Sequence, residues 1–169
     1  MIIIDIRRAE PKDFTAMAQT VHAAWKQAYR ELISPIDMER FTDDNRRTEL
    51  FKAHYSPDWD CFAVFADGVV RGVCSAEKYE EKGFFDTAII HQLYIHPDFQ
   101  HMRLGRKLLS HTLRNLRGKG FRQAVLFVME GNLPAIKFYE KFGFKADGFR
   151  EKNQGMITES YGLRYRIEL

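Results

Sequence analysis

Ala124 to Met129 (AVLFVM) is a nearly continuous apolar run. A strand with one solvated face alternates apolar and polar residues, so a short unbroken run reads as a strand covered on both faces. Helical patterns flank it. Leu104, Leu108, Thr112, Leu113 and Leu116 mark an amphipathic helix that ends at Gly118 and Gly120. Pro134 opens a helix with Asn132 or Leu133 at its cap, and Gly143 closes it; Ala135, Phe138, Tyr139 and Phe142 share one face.

Upstream, Ile2, Ile4 and Ile6 alternate with Ile3, Asp5 and Arg7 as a first strand. Asp13 is placed to cap the next helix, whose stripe is Phe14, Met17, Ala18, Val21, Trp25, Ala28, Tyr29 and Leu32. Ser34-Pro35 starts a second helix, less regular through Met38, Phe41, Leu50 and Phe51. Cys61 to Ala66 and Val69 to Ala76 are β-rich runs joined by Asp67-Gly68, which tolerates the positive φ of a tight hairpin. Gly83 falls in a turn, and Thr87 to Ile95 is the next strand, stopped by His96-Pro97. Near the C-terminus, Tyr161, Leu163, Tyr165, Ile167 and Leu169 alternate as a final half-buried strand. The order is β-α-α-β-β-β-α-β-α-β-β or one strand fewer: an α/β chain with a mixed central sheet.

With 169 residues, no repeat and no Ser/Pro-rich linker, residues 1–169 read as a single domain. Hydrophobic residues at 45% and charged residues at 29% exclude wholesale disorder. Twenty-six Lys and Arg against 23 Asp and Glu leave a net +3, too small for a nucleic-acid footprint. Cys61 and Cys74 fit no metal spacing and make no disulfide framework, so a reduced cytoplasmic setting is expected. The N-terminal apolar stretch is too short for a signal peptide, and no run is long enough to span a membrane.

The segment Ile89 to Arg106 (IIHQLYIHPDFQHMRLGR) carries the chemistry. A strand ends at proline, a loop follows, and a helix begins near Leu104, so exposed backbone N–H groups and the helix's positive end form an anion site. His101, Arg103, Arg106 and Lys107 surround it, where a diphosphate would need charge. Order and spacing make the segment specific. It resembles the coenzyme A loop of the GNAT superfamily of acyl-CoA N-acyltransferases, Gln/Arg-x-x-Gly-x-Gly/Ala after the fourth strand. Gln100, Leu104, Gly105 and Arg106 match, while Arg103 stands where the first glycine usually is. Two readings of Arg103 stay open: its Cβ and side chain narrow the approach to a pyrophosphate, or its guanidinium contacts a phosphate.

Asn132 to Phe144 (NLPAIKFYEKFGF) is similar to the superfamily's N-x-x-A-x-x-F/L-Y-x-x-x-G-F segment, with Asn132, Ala135, Phe138, Tyr139, Gly143 and Phe144 in register. Trp25 to Tyr29 (WKQAY) is a looser match to a W-x-x-A-Y segment of bacterial members.

The resemblance implies a GNAT-like sheet whose fourth and fifth strands splay, with acetyl-CoA as co-substrate between them. Leu93, Tyr94 and Ile95 would pair with the pantetheine arm, and the Ile95 N–H would polarise the thioester carbonyl. Amides of Gln100, His101, Met102, Arg103, Leu104, Gly105 and Arg106 would hold the pyrophosphate, and Asn132, Ala135, Phe138 and Tyr139 would complete the donor site. The activity implied is N-acetyltransfer to a primary amine by direct attack in a ternary complex. Tyr139 is the candidate general acid, a phenol of pKa ~10 facing a thiol of pKa ~8.5; packing alone is its other reading.

Many relatives place a glutamate on the fourth strand as general base. Here Ile89 and His91 occupy the positions to inspect. Histidine titrates in the useful range, and in a regular strand His91 faces the same side as Leu93 and Ile95. Glu77 is the fallback. Trp25, Tyr29, Phe41 and Tyr79 are candidates for an acceptor pocket, with core packing equally open. His91, His96 and His101 do not converge like ligands, so no metal is expected. Arg114, Arg117, Lys119 and Arg122 read as a solvated face, with one or two available to the 3′-phosphate of CoA. The resemblance implies an acceptor that is a small-molecule amine or a peptide or protein N-terminus, and neither a membrane nor a nucleic-acid partner is expected. A homodimer stays open, its one hint an exposed final strand. The rival reading is a catalytically inactive CoA-binding regulatory domain, suggested by Arg103 and the missing strand glutamate.

Overall fold

The computed structural model describes residues 1–169. Its frame is one seven-stranded sheet: β1 (Ile4–Arg8), β2 (Asp60–Ala66), β3 (Val69–Lys78), β4 (Thr87–Ile95), β5 (Gln123–Met129), β6 (Lys145–Lys152) and β7 (Tyr161–Glu168). The spatial order is β1-β2-β3-β4-β5-β7-β6. Every neighbouring pair is antiparallel except β4 and β5. Asp67 at φ 50 and Gly68 at φ 78 close the β2–β3 hairpin in the conformation that favours this dipeptide.

Helices α1 (Phe14–Ala28), α2 (Pro35–Phe41), α3 (Asp44–His54), α4 (Leu104–Gly118) and α5 (Leu133–Phe142) complete the chain. Phe14, Met17 and Val21 of α1 and Phe51 of α3 pack with Ala63, Phe65 and Val73 on one side of the sheet. Leu104, Leu108, Leu109 and Leu116 of α4 and Tyr139 of α5 pack with Val64, Cys74, Ile90 and Leu126 on the other. Burying each such leucine stabilises the fold by about 1.5–3 kcal/mol. Within β5 only Gln123 and Phe127 are half-buried, so the apolar run is covered on both faces as its composition implies. No helix is long and apolar enough to cross a membrane.

Three local expectations change. The second helical stretch is two helices, because the Asp43 carboxylate accepts the Arg46 N–H at 2.7 Å and caps a new start. Asp13 stands at the N-cap of α1 with its carboxylate turned back, accepting from the Arg7 guanidinium and the Glu10 N–H. The final strand is no exposed edge, since β7 lies between β5 and β6. The edge is β6, whose KADGFREK sequence lacks apolar alternation and whose register shifts between Ala146 and Arg150. Charge and irregularity of this kind blunt an edge against pairing with another chain.

Candidate active site

The parallel pairing of β4 with β5 runs from Thr87↔Gln123 to Ile90↔Leu126 and stops. Beyond it His91–Ile95 and Phe127–Met129 diverge, and a cleft of about 900 Å³ opens between them. A bulge in β4 lies at the point of parting. Ser75 of β3 pairs with Gln92 and Ala76 with Ile90, which leaves His91 as the extra residue. A bulge bends its strand and increases local twist, here beside the point where β4 leaves β5.

The bulge also reverses which side chains face which helices. Ala88 and Ile90 before it and Leu93 and Ile95 after it all pack on the α4–α5 side. His91 therefore does not share a face with Leu93 and Ile95, as a regular strand would require. It turns to the α1–α3 side, where its ring lies 6.4 Å from that of His54.

Backbone polarity in β4 is set by its last bond to β3. His96 donates its N–H to the Arg71 carbonyl at 2.8 Å. Backbone groups alternate sides along a strand, so the N–H and C=O of Leu93 and Ile95 point away from β3, into the cleft. The Gln100 side chain confirms that direction by donating to the Ile95 carbonyl at 3.2 Å, and it also donates to Gln27 of α1 at 2.7 Å.

At the outer end a 3₁₀ turn over Pro97–Met102 leads to Arg103 at φ 58, ψ 20. This left-handed conformation is the one glycine adopts freely, which accounts for the glycine usual at this place in the GNAT loop. Helix α4 has no side-chain cap. Its first bond runs from the Lys107 N–H to the Arg103 carbonyl at 3.2 Å, so the amides of Leu104, Gly105 and Arg106 lack intrahelical acceptors. Arg103, Gly105 and Arg106 line the cleft, joined by Lys141 of α5, which local sequence gave no reason to single out. The Leu104 side chain is fully buried in the core, His101 is exposed outside the cleft, and Met102 packs against the core. These three are left with backbone roles.

At the inner end Asn132, Ala135, Phe138 and Tyr139 line the same cleft. Asn132 caps α5, accepting the Ala135 N–H at 3.3 Å. Tyr139 is 9% exposed, and burial pushes its phenol pKa far up, with smaller contributions from Tyr94 and Cys74. The hydroxyl is held protonated. Tyr29 and the Tyr94 side chain also line the cleft, their hydroxyls 3.2 Å apart, and burial raises both phenols. Tyr94 was legible in sequence only as a backbone contributor.

The remaining candidates lie outside the cleft. Trp25 packs edge-on against Tyr29 at 4.8 Å and stacks on Phe41 at 5.8 Å, behind the wall. The Tyr79 N–H donates to the Thr87 carbonyl, at the end of β4 remote from Ile95, and its hydroxyl bonds Glu81 and Arg164. Glu77 reaches the cleft through His91, whose Nε2 lies 2.6 Å from its carboxylate.

Residues 19–144 match the family model for the acetyltransferase (GNAT) family. The chain is 25% identical over 149 residues to a spermidine N(1)-acetyltransferase of Thermoplasma acidophilum, covering 85% of this chain and 89% of that one. It is 37% identical over 76 residues to the [ribosomal protein bS18]-alanine N-acetyltransferase of Escherichia coli, a match spanning 45% of this chain and 46% of the other. In fold it is similar to an N-acetyltransferase of Thermoplasma acidophilum solved with coenzyme A, at TM-score 0.78 and 21% identity over 99% of both chains. It is also similar to a Salmonella typhimurium acetyltransferase solved with acetyl-CoA, at TM-score 0.74 and 22% identity over 99% of this chain and 94% of that one. The parted strands, the bare start of α4 and the Asn132–Phe144 segment fall within the matched span, and the chain belongs to the acetyltransferase (GNAT) family.

Proposed function

We propose that the protein transfers an acetyl group from acetyl-CoA to a primary amine, by direct attack in a ternary complex. One observation supports this most: a single cleft runs from uncapped helix amides beside Arg103 and Arg106 to the neutral phenol of Tyr139. Each part fits a part of the donor. The amides and cations suit a diphosphate, the outward backbone of Leu93 and Ile95 suits the amides of pantetheine, and Phe138 and Leu93 suit its apolar segments.

The thioester carbonyl is the electrophile. The Ile95 N–H, aimed into the cleft, donates to the carbonyl oxygen as negative charge develops. His91, which lines the cleft, takes the proton of the attacking amine as general base. The carbon–sulfur bond then breaks, the Tyr139 hydroxyl gives its proton to the departing sulfur so that CoA leaves as the thiol, and the phenolate regains a proton from solvent, matching the one His91 releases. The acceptor is a small-molecule amine or the N-terminus of a peptide or protein. Relatives named for spermidine and for an alanine of ribosomal protein bS18 support those two classes. The two buried free cysteines fit a reducing compartment, the cytoplasm.

Calorimetry with CoA and acetyl-CoA, followed by thiol release against an amine panel, tests this. Binding together with amine-dependent thiol release is expected. Absence of binding at millimolar donor overturns the proposal. Binding without release for any amine assigns a regulatory CoA-binding role instead.

A further inference from the structure

Three side chains from three elements meet beside the cleft. His91 Nε2 of β4 lies 2.6 Å from Glu77 Oε1 of β3, and His54 Nε2 of α3 lies 3.1 Å from Glu77 Oε2. The His54 ring is held edge-on against Trp59, with centroids 5.5 Å apart. A carboxylate only accepts hydrogen bonds, so each imidazole presents an Nε2–H to it. Neutral His91 then carries its lone pair on Nδ1.

We infer that Glu77 and His54 are positioning residues for His91: Glu77 selects the tautomer with Nδ1 free and opposes the charge of the imidazolium, while His54 holds Glu77 through its second oxygen. The inference rests on His91 being the general base. In the step concerned the acceptor's N–H bond breaks, the proton goes to Nδ1, and the electron pair stays on nitrogen for attack. The proton then leaves the imidazolium for solvent.

Burial alone would raise the Glu77 pKa, but hydrogen bonds from His91 and His54 outweigh it and hold the carboxyl below its ordinary range. Glu77 is therefore anionic wherever an imidazole titrates. The other ionisable groups lining the cleft are the phenols of Tyr29, Tyr94 and Tyr139 and the cations Arg103, Arg106 and Lys141. Arg47 of α3 acts on Tyr94. Glu77 is the carboxylate bonded to His91.

The test measures kcat, KM and the pH profile of kcat/KM for the amine at saturating acetyl-CoA, in E77Q, H54A, H54Q and H91Q, each checked for an unchanged thermal melt. E77Q is expected to lower kcat about tenfold and move the acidic limb to lower pH, because the imidazolium loses its counter-charge, with KM for the amine little changed. H54A should act in the same direction but less, and H54Q, which keeps an N–H donor, should restore part of the loss. A defective H91Q beside wild-type profiles for E77Q and H54A overturns the positioning roles and leaves His91 as base. Loss of the limb in E77Q with a near-normal H91Q makes Glu77 the base and overturns the inference. A normal H91Q with the limb intact in every variant removes His91 from the reaction, and the inference falls with it.

Discussion

The Tyr29 hydroxyl, at the C-cap of α1, and the Tyr94 hydroxyl of β4 lie 3.2 Å apart, tying the end of a helix to the strand that leaves the sheet. Both rings line the cleft, so the bond sets the spacing of one wall. Removing one partner leaves the other hydroxyl buried without a mate, which costs about 1–3 kcal/mol. Tyr29→Phe is expected to lower stability by about that amount in denaturant titrations. It should raise KM more than it lowers kcat, because the wall and not the reacting group is disturbed.

Tyr139→Phe should do the reverse. Burial, Tyr94 and Cys74 account for the raised phenol, with no hydrogen bond among the causes. Deleting the hydroxyl therefore breaks no bond of the fold, and stability should change by less than about 1 kcal/mol. Turnover should fall about a hundredfold if the O–H serves the leaving sulfur. Single-turnover kinetics with acetyl-CoA affinity measured in parallel checks the split; equal turnover in the variant returns Tyr139 to a packing role.

Arg103→Gly separates backbone from side chain at the mouth of the donor site. The left-handed backbone costs a non-glycine residue about 1–2 kcal/mol, and part of the relief is offset by the flexibility glycine adds to the unfolded chain. A gain of about 0.5–1 kcal/mol is expected, or roughly 1–4 °C in Tm. The guanidinium lines the cleft with Arg106 and Lys141, so CoA affinity should drop about tenfold in calorimetry, the loss of one charge-assisted contact. Tighter binding in the variant would instead assign Arg103 a narrowing role.

Features readable in the chain are those whose cause is local. Asp67-Gly68, Ser34-Pro35 and the Asn132–Gly143 span each hold their own turn, cap or stop; Gly143, for one, adopts φ 122. The bulge at His91 has no such mark. It depends on which residue of β3 pairs with Gln92 and which with Ile90, a relation between strands. A regular strand puts His91 on the face of Leu93 and Ile95, and only the register between strands turns it toward Glu77, which His54 also bonds. Glu77 and Tyr79 alternate in sequence like neighbours on one face, yet β3 ends at Lys78 and Tyr79 turns to Glu81 and Arg164. Gln27, Lys141 and the side chain of Tyr94 enter the site only because α1, β4 and α5 converge there.

Behind that wall His22 of α1 sits between two charges. Its Nδ1–H donates to the Asp44 carboxylate, and its Nε2 accepts the Arg47 Nε–H at 2.8 Å. Burial lowers its pKa, the Asp44 bond raises it, and the Arg47 charge lowers it, with a net shift below the ordinary histidine value. The unfolded chain then binds the proton more readily than the native state. The stability His22 contributes is fully present above the unfolded pKa of ~6.5 and declines as pH falls toward the depressed native value. Protonating Nε2 also expels Arg47, which donates to the Phe41 carbonyl at 3.1 Å and lies over the Trp25 ring at 5.6 Å. Thermal melts from pH 7.5 down to 5 should show Tm falling below about pH 6.5. His22→Gln, less stable at pH 7.5, should show a shallower fall over that window; parallel curves for the two proteins would mean that His22 does not titrate differently on unfolding.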